Sequence, residues 1–221
     1  MFVAVWLAAV GAVLTVDRQA AEWVRQTQPY PGRGPAVWAV KLPGSFPFVL
    51  AVAVLVVLFH RRSWRAALPL IVSGPLVGVG YTFLKWIVGR KRPKIAMAPF
   101  DFHPFHHGVM GLIHAESGLS FPSGHAAMAF AAATCLAAAL PRWGVVFFAV
   151  AVAVAAERVL ENAHYLSDVV SGAGVGVLCG LLALYVSKRC TRTRTVGTNS
   201  LDRLTAPPGS ETGSPSLPGE R

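Results

Sequence analysis

The sequence predicts an all-α protein that crosses a membrane six times, and three observations support this fold. Of its 221 residues, 54% are hydrophobic and only 14% are charged. The charged residues cluster between apolar runs that approach the roughly 20 residues needed by a membrane-spanning helix. The formal charge of +10 fits basic flanks facing anionic lipid, and we expect no nucleic-acid partner.

The six predicted spans alternate with polar segments. They cover residues 1–16, 46–60, 66–88, 124–140, 143–156 and 167–187. The first is short for a span, so its helix either continues toward Trp23 or begins upstream of Met1. Pro69 and Pro75 are compatible with the third span because neighbouring helices can cover the freed backbone groups. Residues 1–187 therefore form the predicted membrane domain, and the basic segment 188–221 is a predicted disordered tail.

An even number of spans brings three segments to one side of the membrane. These are residues 17–44, 89–121 and 157–166, and both termini lie on the other side. Basic residues flank the terminal side and favour a cytoplasmic location for it; they are Arg61, Arg62, Arg65, Arg142, Lys188, Arg189, Arg192 and Arg194. The opposite side is also basic, but we expect it to be the extracytoplasmic face of the plasma membrane and to carry the site. The oligomeric state stays open, a homo-oligomer included.

The segment Phe121-Pro-Ser-Gly-His125 opens the fourth span. Ser123 is a favourable N-cap, and the amides of Gly124 and His125 would point out of the positive end of the helix. Such an end can bind phosphate. An ordinary N-cap with an interfacial histidine is the alternative, and this segment alone does not decide between them.

The third span ends with Lys85 and Arg92-Pro93. A spacing of seven residues would return Lys85 and Arg92 to one helix face, and Pro93 predicts that the helix stops at Arg92. A basic interfacial anchor is the alternative. Lys85 fits that anchor less well because it lies a full turn inside the apolar run, where an ionisable residue indicates function.

A third group, Arg158, His164 and Asp168, follows the fifth span. His164 and Asp168 are spaced i, i+4, so the carboxylate could hold one imidazole nitrogen and leave the other free as a nucleophile. Arg158 can join them only if the chain bends, and Asn162 is a plausible place for the bend. Taken without the other motifs, His164 and Asp168 are explained better by a surface ion pair than by a catalytic pair.

Together, the three motifs closely resemble the signature of the type 2 phosphatidic acid phosphatase family, the lipid phosphate phosphatases. The resemblance covers about residues 46–187. It implies a metal-independent, cofactor-free membrane enzyme that removes phosphate from a membrane lipid. The family's substrates include phosphatidic acid, phosphatidylglycerol phosphate, sphingoid phosphates and polyprenyl diphosphates such as undecaprenyl diphosphate. The sequence does not choose among them.

The resemblance also implies roles for individual residues. His164 would be the nucleophile that forms a phosphohistidine, Asp168 would orient it, and His125 would be the general acid and then the base. The phosphate would be bound by the remaining motif residues, which are Lys85, Arg92, Ser123, Gly124 and Arg158. One position departs from the family pattern, because Glu157 stands where the family usually has serine. We expect Glu157 to pair with Arg158 or another base, or to point away.

Two other functions fit parts of the pattern. Vanadium haloperoxidases share the pocket but are soluble, and a non-catalytic lipid-phosphate binder or transporter would explain Glu157. Four further histidines lie in residues 94–121: His103, His106, His107 and His114. They lack acidic or cysteine partners at metal spacing, so we predict a lid or interfacial loop and no metal site.

Overall fold

The computed structural model describes residues 1–27, 34–59, 64–95, 101–105 and 118–205. Within these ranges the chain is helical apart from turns and two isolated bridges, Arg90 with Phe102 and Lys91 with Leu119. The α-helices are α1 (Phe2–Leu14), α2 (Asp17–Thr27), α3 (Pro35–Lys41), α4 (Phe46–Phe59), α5 (Trp64–Val88), α6 (Gly124–Ala139), α7 (Gly144–Leu160) and α8 (Leu166–Thr205). Short 3-10 helices, Leu42–Gly44 and Pro141–Trp143, lead into α4 and α7.

Three described segments are long and apolar enough to cross a membrane: Ala67–Val88, Pro141–Leu160 and Leu166–Thr191. Two bent pairs raise this number to five if each pair is one span: Phe2–Leu14 with Asp17–Thr27 at 54°, and Val37–Gly44 with Phe46–Leu58 at 70°. Helix α6 is apolar but shorter. The all-α architecture of a membrane protein is thus confirmed for the described residues, whereas six spans stay a prediction.

The first polar segment differs from its prediction. Residues 17–44 are not simply a loop, because they contain α2, α3 and a 3-10 turn. Asp17, the first residue after the predicted first span, is fully buried. The side chain is buried because it binds groups of the site, as described below.

The end of α5 also differs from its prediction. The helix ends at Val88, four residues before Arg92, because Gly89 adopts a left-handed φ of 60°. The Gly89 amide donates to the Lys85 carbonyl at 2.8 Å, as in a helix terminated by glycine. A Cβ on Gly89 would lie 1.9 Å from the His103 carbonyl oxygen. The prediction that Lys85 and Arg92 share one helix face is therefore wrong.

Helix α6 is largely buried, and α8 packs closely against it. Alanines line the buried faces of α6, and three glycines of α8 let the backbones approach. A Cβ on Gly172 would lie 2.5 Å from the Ser123 carbonyl oxygen, and one on Gly176 would lie 2.2 Å from that of Ala127. A Cβ on Gly180 would lie 3.0 Å from the Ala131 carbonyl oxygen. This small-residue packing holds the start of α8 beside the start of α6.

Residues Met1–Ser187 form one compact unit. Large apolar side chains stay exposed on its helices, among them Val79 at 73% and Val145 at 84%, as expected of surfaces that face lipid. Helix α8 continues to Thr205, beyond the predicted end of the last span at 187. Residues 206–221 of the predicted disordered tail lie outside the described residues.

Candidate active site

A cavity of about 630 Å³ opens between α4, α5 and α6. Residues from all three motifs line its polar end: Lys85, Arg92, Gly124, His125 and His164. Its remaining wall comes from the start of α4 and from α5 and α6: Gly44, Ser45, Phe46, Gly74, Pro75, Gly78, Tyr81 and Met128. Two cations and two histidines thus meet in one space, although they come from three motifs that are far apart in the sequence.

His164 lies in the turn between α7 and α8, and its side chain is 4% exposed. The predicted bend before it is confirmed, because Asn162 adopts a positive φ of 55°. The Nδ1 atom lies 2.8 Å from the Ser120 carbonyl oxygen. A carbonyl oxygen can only accept, so this bond places the proton on Nδ1 and leaves the Nε2 lone pair unprotonated.

Asp168 does not hold His164 in the way predicted from their spacing. Its Oδ2 atom lies 3.8 Å from Nδ1, which is too long for a hydrogen bond. That oxygen instead accepts the Tyr165 amide at 2.8 Å. The tautomer of His164 is therefore fixed by the Ser120 backbone, and the Asp168 carboxylate contributes a nearby negative charge.

Burial lowers the pKa of His164, and the Asp168 carboxylate opposes this change. The positive charges of Arg92 and Lys85 reinforce the effect of burial. The imidazole is consequently neutral at pH 7, as a nitrogen nucleophile must be.

Arg90 is a buried hub that the sequence analysis missed. Its guanidinium donates to Asp168 Oδ1 at 2.8 Å and to Asp17 Oδ2 at 2.8 Å, and it lies 3.8 Å from the centre of the Tyr165 ring. Asp17 in turn accepts the Ser167 amide at 2.9 Å and the Ser167 hydroxyl. This network joins the start of α2 to the start of α8, next to His164.

The backbone of Arg90 is tied to the same site. The Ser120 amide donates to the Arg90 carbonyl at 2.7 Å, and Ser120 is the residue whose own carbonyl holds His164. In the sequence, Arg90 looks like one more basic anchor beside Lys91, and Asp17 looks like the charged end of a span. Only their burial in the structure, at 1% and 0% exposure, identifies the two residues as parts of the network beside His164.

The start of α6 has the predicted cap. The Ser123 hydroxyl oxygen accepts the Ala126 amide at 3.5 Å, and the Ser123 amide donates to the Asp168 carbonyl at 3.0 Å. This leaves the amides of Gly124 and His125 at the open end of the helix. Ser123 is fully buried and, unlike Gly124, does not line the cavity.

Lys85 and Arg92 reach the cavity from different backbone segments. Lys85 lies in the last turn of α5, with its Nζ atom 5.7 Å from the centre of the Tyr81 ring. Arg92 follows the helix, and its Nε atom donates to the Leu119 carbonyl at 3.2 Å. Burial lowers the pKa of Arg92, and the nearby charge of Arg158 lowers it further.

Arg158, predicted to bind phosphate, does not line the cavity and is ion-paired. Its Nε atom donates to Glu157 Oε2 at 2.6 Å, and its terminal nitrogen lies 2.5 Å from carboxylate oxygens of both Glu157 and Glu161. Of the alternatives expected for Glu157, which were pairing with Arg158, pairing with another base or pointing away, the structure shows the pairing with Arg158. Glu161 is a second partner that the sequence analysis did not identify.

The loop histidines are described only in part. His103 Nε2 lies 2.7 Å from Asp101 Oδ1, while His106, His107 and His114 lie outside the described residues. Within the part of the chain that the structure covers, no group of three or more His, Cys, Asp or Glu residues could hold a metal ion. The predicted lid function of this segment stays a prediction.

Comparison with known proteins agrees with the three motifs. The PAP2 superfamily model matches residues 66–192. A lipid A 1-phosphatase of Rhizobium johnstonii is 33% identical over an alignment of 138 residues, and the match covers 58% of this chain and 50% of the relative. Phosphatidylglycerophosphatase B of Bacillus subtilis is 27% identical over an alignment of 165 residues, and the match covers 68% of this chain and 73% of the relative. The chain spans about half the length of the Rhizobium relatives it matches.

Two crystal structures have a similar fold. One is LpxE of Aquifex aeolicus, with a TM-score of 0.54 and 24% identity over 74% of this chain and 93% of that one. The other is a transmembrane PAP2-type phosphatidylglycerolphosphate phosphatase of Bacillus subtilis, with a TM-score of 0.59 and 23% identity over 85% of this chain and 94% of that one. This chain belongs to the PAP2 superfamily, which confirms the family resemblance of its motifs.

Proposed function

We propose that this protein is an integral membrane phosphatase that hydrolyses a lipid phosphate through a phosphohistidine at His164. One observation carries the proposal: a single cavity is lined by Lys85, Arg92, His125 and His164, with the His164 proton placed on Nδ1 by a backbone carbonyl. The named relatives act on lipid A or, by name, on phosphatidylglycerophosphate, and both kinds of substrate are lipid phosphates.

In the first step, His164 Nε2 attacks phosphorus. The nitrogen–phosphorus bond forms as the bond from phosphorus to the lipid oxygen breaks, and His125 gives its proton to that oxygen. Lys85, Arg92 and the open end of α6 stabilise the charge on the other phosphate oxygens. Because the protein supplies this positive charge, we propose that the reaction needs no metal ion.

In the second step, the intermediate is hydrolysed. His125, now neutral, takes a proton from water, and the water oxygen attacks phosphorus as the bond to His164 breaks. Inorganic phosphate is released, and both histidines return to their starting states. The Asp168 carboxylate, held by Arg90 at 2.8 Å, favours the positive charge that His164 carries as a phosphohistidine.

We also propose six spans, with α6 as the sixth beside the three long segments and the two bent pairs. This arrangement puts the motif residues at one membrane face, where a lipid headgroup lies. Orientation in the plasma membrane, with the site extracytoplasmic and the termini cytoplasmic, follows from the distribution of basic residues.

The proposal predicts phosphate release from lipid phosphates by the purified protein in detergent with a metal chelator present. The panel contains phosphatidic acid, phosphatidylglycerol phosphate, lipid A and a polyprenyl diphosphate. We expect release from at least one of them at an unchanged rate after chelation. If the folded protein released no phosphate from any lipid, it would instead be a lipid-phosphate binder. Loss of release on chelation would contradict the metal-independent mechanism.

A further inference from the structure

Of the three basic residues in the motifs, Arg158 does not line the cavity. Its guanidinium instead pairs with two carboxylates. Glu157 and Glu161 each have an oxygen 2.5 Å from its terminal nitrogen. Arg158 and Glu157 are both buried, at 6% and 3% exposure. A buried guanidinium held by two carboxylates has its charge satisfied before any substrate arrives.

The same two carboxylates have other basic partners. Lys41 Nζ, at the end of α3, lies 3.0 Å from Glu161 and 3.6 Å from Glu157. Lys94 Nζ lies 3.7 Å from Glu161. Burial raises the pKa of Glu161, but the charges of Lys41 and Arg158 outweigh this and hold it below its usual value. Glu161 is therefore a carboxylate at neutral pH and competes for Arg158.

Arg158 is nevertheless close to the site. Its backbone carbonyl accepts the amide of His164 at 3.3 Å, and the His164 side chain lines the cavity. Arg158 lies in the last turn of α7, and His164 lies in the turn that follows this helix. If the carboxylates released it, a rotation of its long side chain could bring the guanidinium toward a bound phosphate group.

We infer that Glu157 and Glu161 determine substrate preference by holding Arg158 away from phosphate, so that the site favours a lipid monophosphate over a lipid diphosphate. This inference rests on the proposed function. The cavity offers Lys85 and Arg92 to the substrate, and these two cations suit the charge of a phosphate monoester. A diphosphate carries one more negative charge, and its second phosphate must compete with two carboxylates for the third cation.

Lys41 makes the exchange of partners feasible. If Arg158 turned toward phosphate, both carboxylates would still have the Lys41 ammonium within reach. Neither the buried Glu157 nor the partly exposed Glu161 would then be left without a positive partner, which is the costly outcome of breaking a buried ion pair. The same arrangement explains how the chain accommodates Glu157 at a position where related enzymes usually have serine.

The test uses farnesyl monophosphate and farnesyl diphosphate, which share one hydrocarbon chain and differ in phosphate number. We expect the wild-type protein to release phosphate from the monophosphate with the higher kcat/KM. In Glu157→Gln/Glu161→Gln, the neutral amides should free Arg158 and shift the ratio toward the diphosphate by about tenfold or more, the effect of one charge-assisted hydrogen bond. An unchanged ratio would overturn the inference, and so would a wild-type preference for the diphosphate.

A binding measurement separates this inference from the proposed function. Calorimetry with inorganic phosphate and pyrophosphate needs no turnover, so it remains informative if the lipids are not substrates. The double variant should bind pyrophosphate about tenfold more tightly than the wild type. Its affinity for inorganic phosphate should increase less. Equal gains for both anions would contradict the selectivity. The matched control is Glu22→Gln, which removes a carboxylate from an exposed pair with Arg18 at 2.9 Å and should change neither affinity.

A double-mutant cycle tests whether the carboxylates act through Arg158. Glu161→Gln is introduced into Arg158→Gln, or into Arg158→Lys if the glutamine variant does not fold. If the inference is correct, Glu161→Gln loses most of its effect on pyrophosphate binding in that background. An undiminished effect would show that Glu161 repels the anion directly, and the proposed role of Arg158 would be wrong.

Discussion

Replacing His164 with alanine should lower phosphate release from lipid phosphates by about 10⁴-fold or more, as expected when a covalent nucleophile is lost. The structure gives this residue a neutral imidazole with its proton held on Nδ1 by the Ser120 carbonyl at 2.8 Å, beside two cations in the same cavity. The other motif histidine that lines this cavity is His125, which the mechanism uses in its protonated form as the general acid. The measurement is kcat with the best lipid of the panel.

His103→Ala is the matched control for that variant. His103 is also a histidine with an acidic partner, Asp101 at 2.7 Å, but it does not line the cavity. Its replacement should leave release close to wild type. Substantial turnover by a folded His164→Ala protein would refute the assignment of the nucleophile, whatever the control shows.

Replacing His125 with alanine should lower kcat/KM for an alkyl lipid phosphate by about 10²- to 10⁴-fold, the usual contribution of a general acid. The alkoxide leaving group of a lipid needs a proton as the phosphorus–oxygen bond breaks. Nitrophenolate is a good leaving group without a proton. The variant's kcat/KM for p-nitrophenyl phosphate should therefore fall much less. Because kcat/KM reports the steps through the first bond cleavage, this comparison isolates the acid role from the later activation of water.

An equal loss of kcat/KM for the two substrates would argue against the acid role and would leave His125 as a binding or structural residue. The substitution should leave the fold intact, because His125 is the second residue of α6 and the helix is capped by Ser123 rather than by the imidazole. Circular dichroism of the variant should therefore match that of the wild type.

The sequence predicted several local features of the candidate site because these depend on neighbouring residues. They are the Ser123 cap, the bend at Asn162 and, among the alternatives for Glu157, its pairing with Arg158, and the structure shows each of them. Gly172 and Gly176, at which α8 packs closely against α6, also have the four-residue spacing of small residues that favours such packing. The sequence also predicted that Lys85, His125 and His164 lie on one side of the membrane. The structure brings the three residues to one cavity, whereas the six spans behind that argument stay a prediction.

What the sequence could not predict depends on contacts between distant segments. The partner of the His164 ring is a backbone carbonyl 44 residues away. Because every residue has a backbone carbonyl, the pattern of side chains in the sequence cannot indicate which one accepts. Arg90 binds Asp17, 73 residues away, and both residues resemble ordinary charges at the ends of spans. The early end of α5 was missed because the left-handed conformation of Gly89 outweighed the signal from Pro93.

The covalent intermediate provides the most direct test of the central claim. The protein is mixed with lipid substrate carrying a labelled phosphate, quenched in base, where phosphohistidine is stable, and digested for mass spectrometry. The mechanism predicts labelled phosphate on the peptide that contains His164, and none on that peptide from His164→Ala. His125→Ala should hold the label longer because water is activated more slowly. Labelled phosphate released by the wild type with no label on His164 at any quench time, even in His125→Ala, would contradict the account.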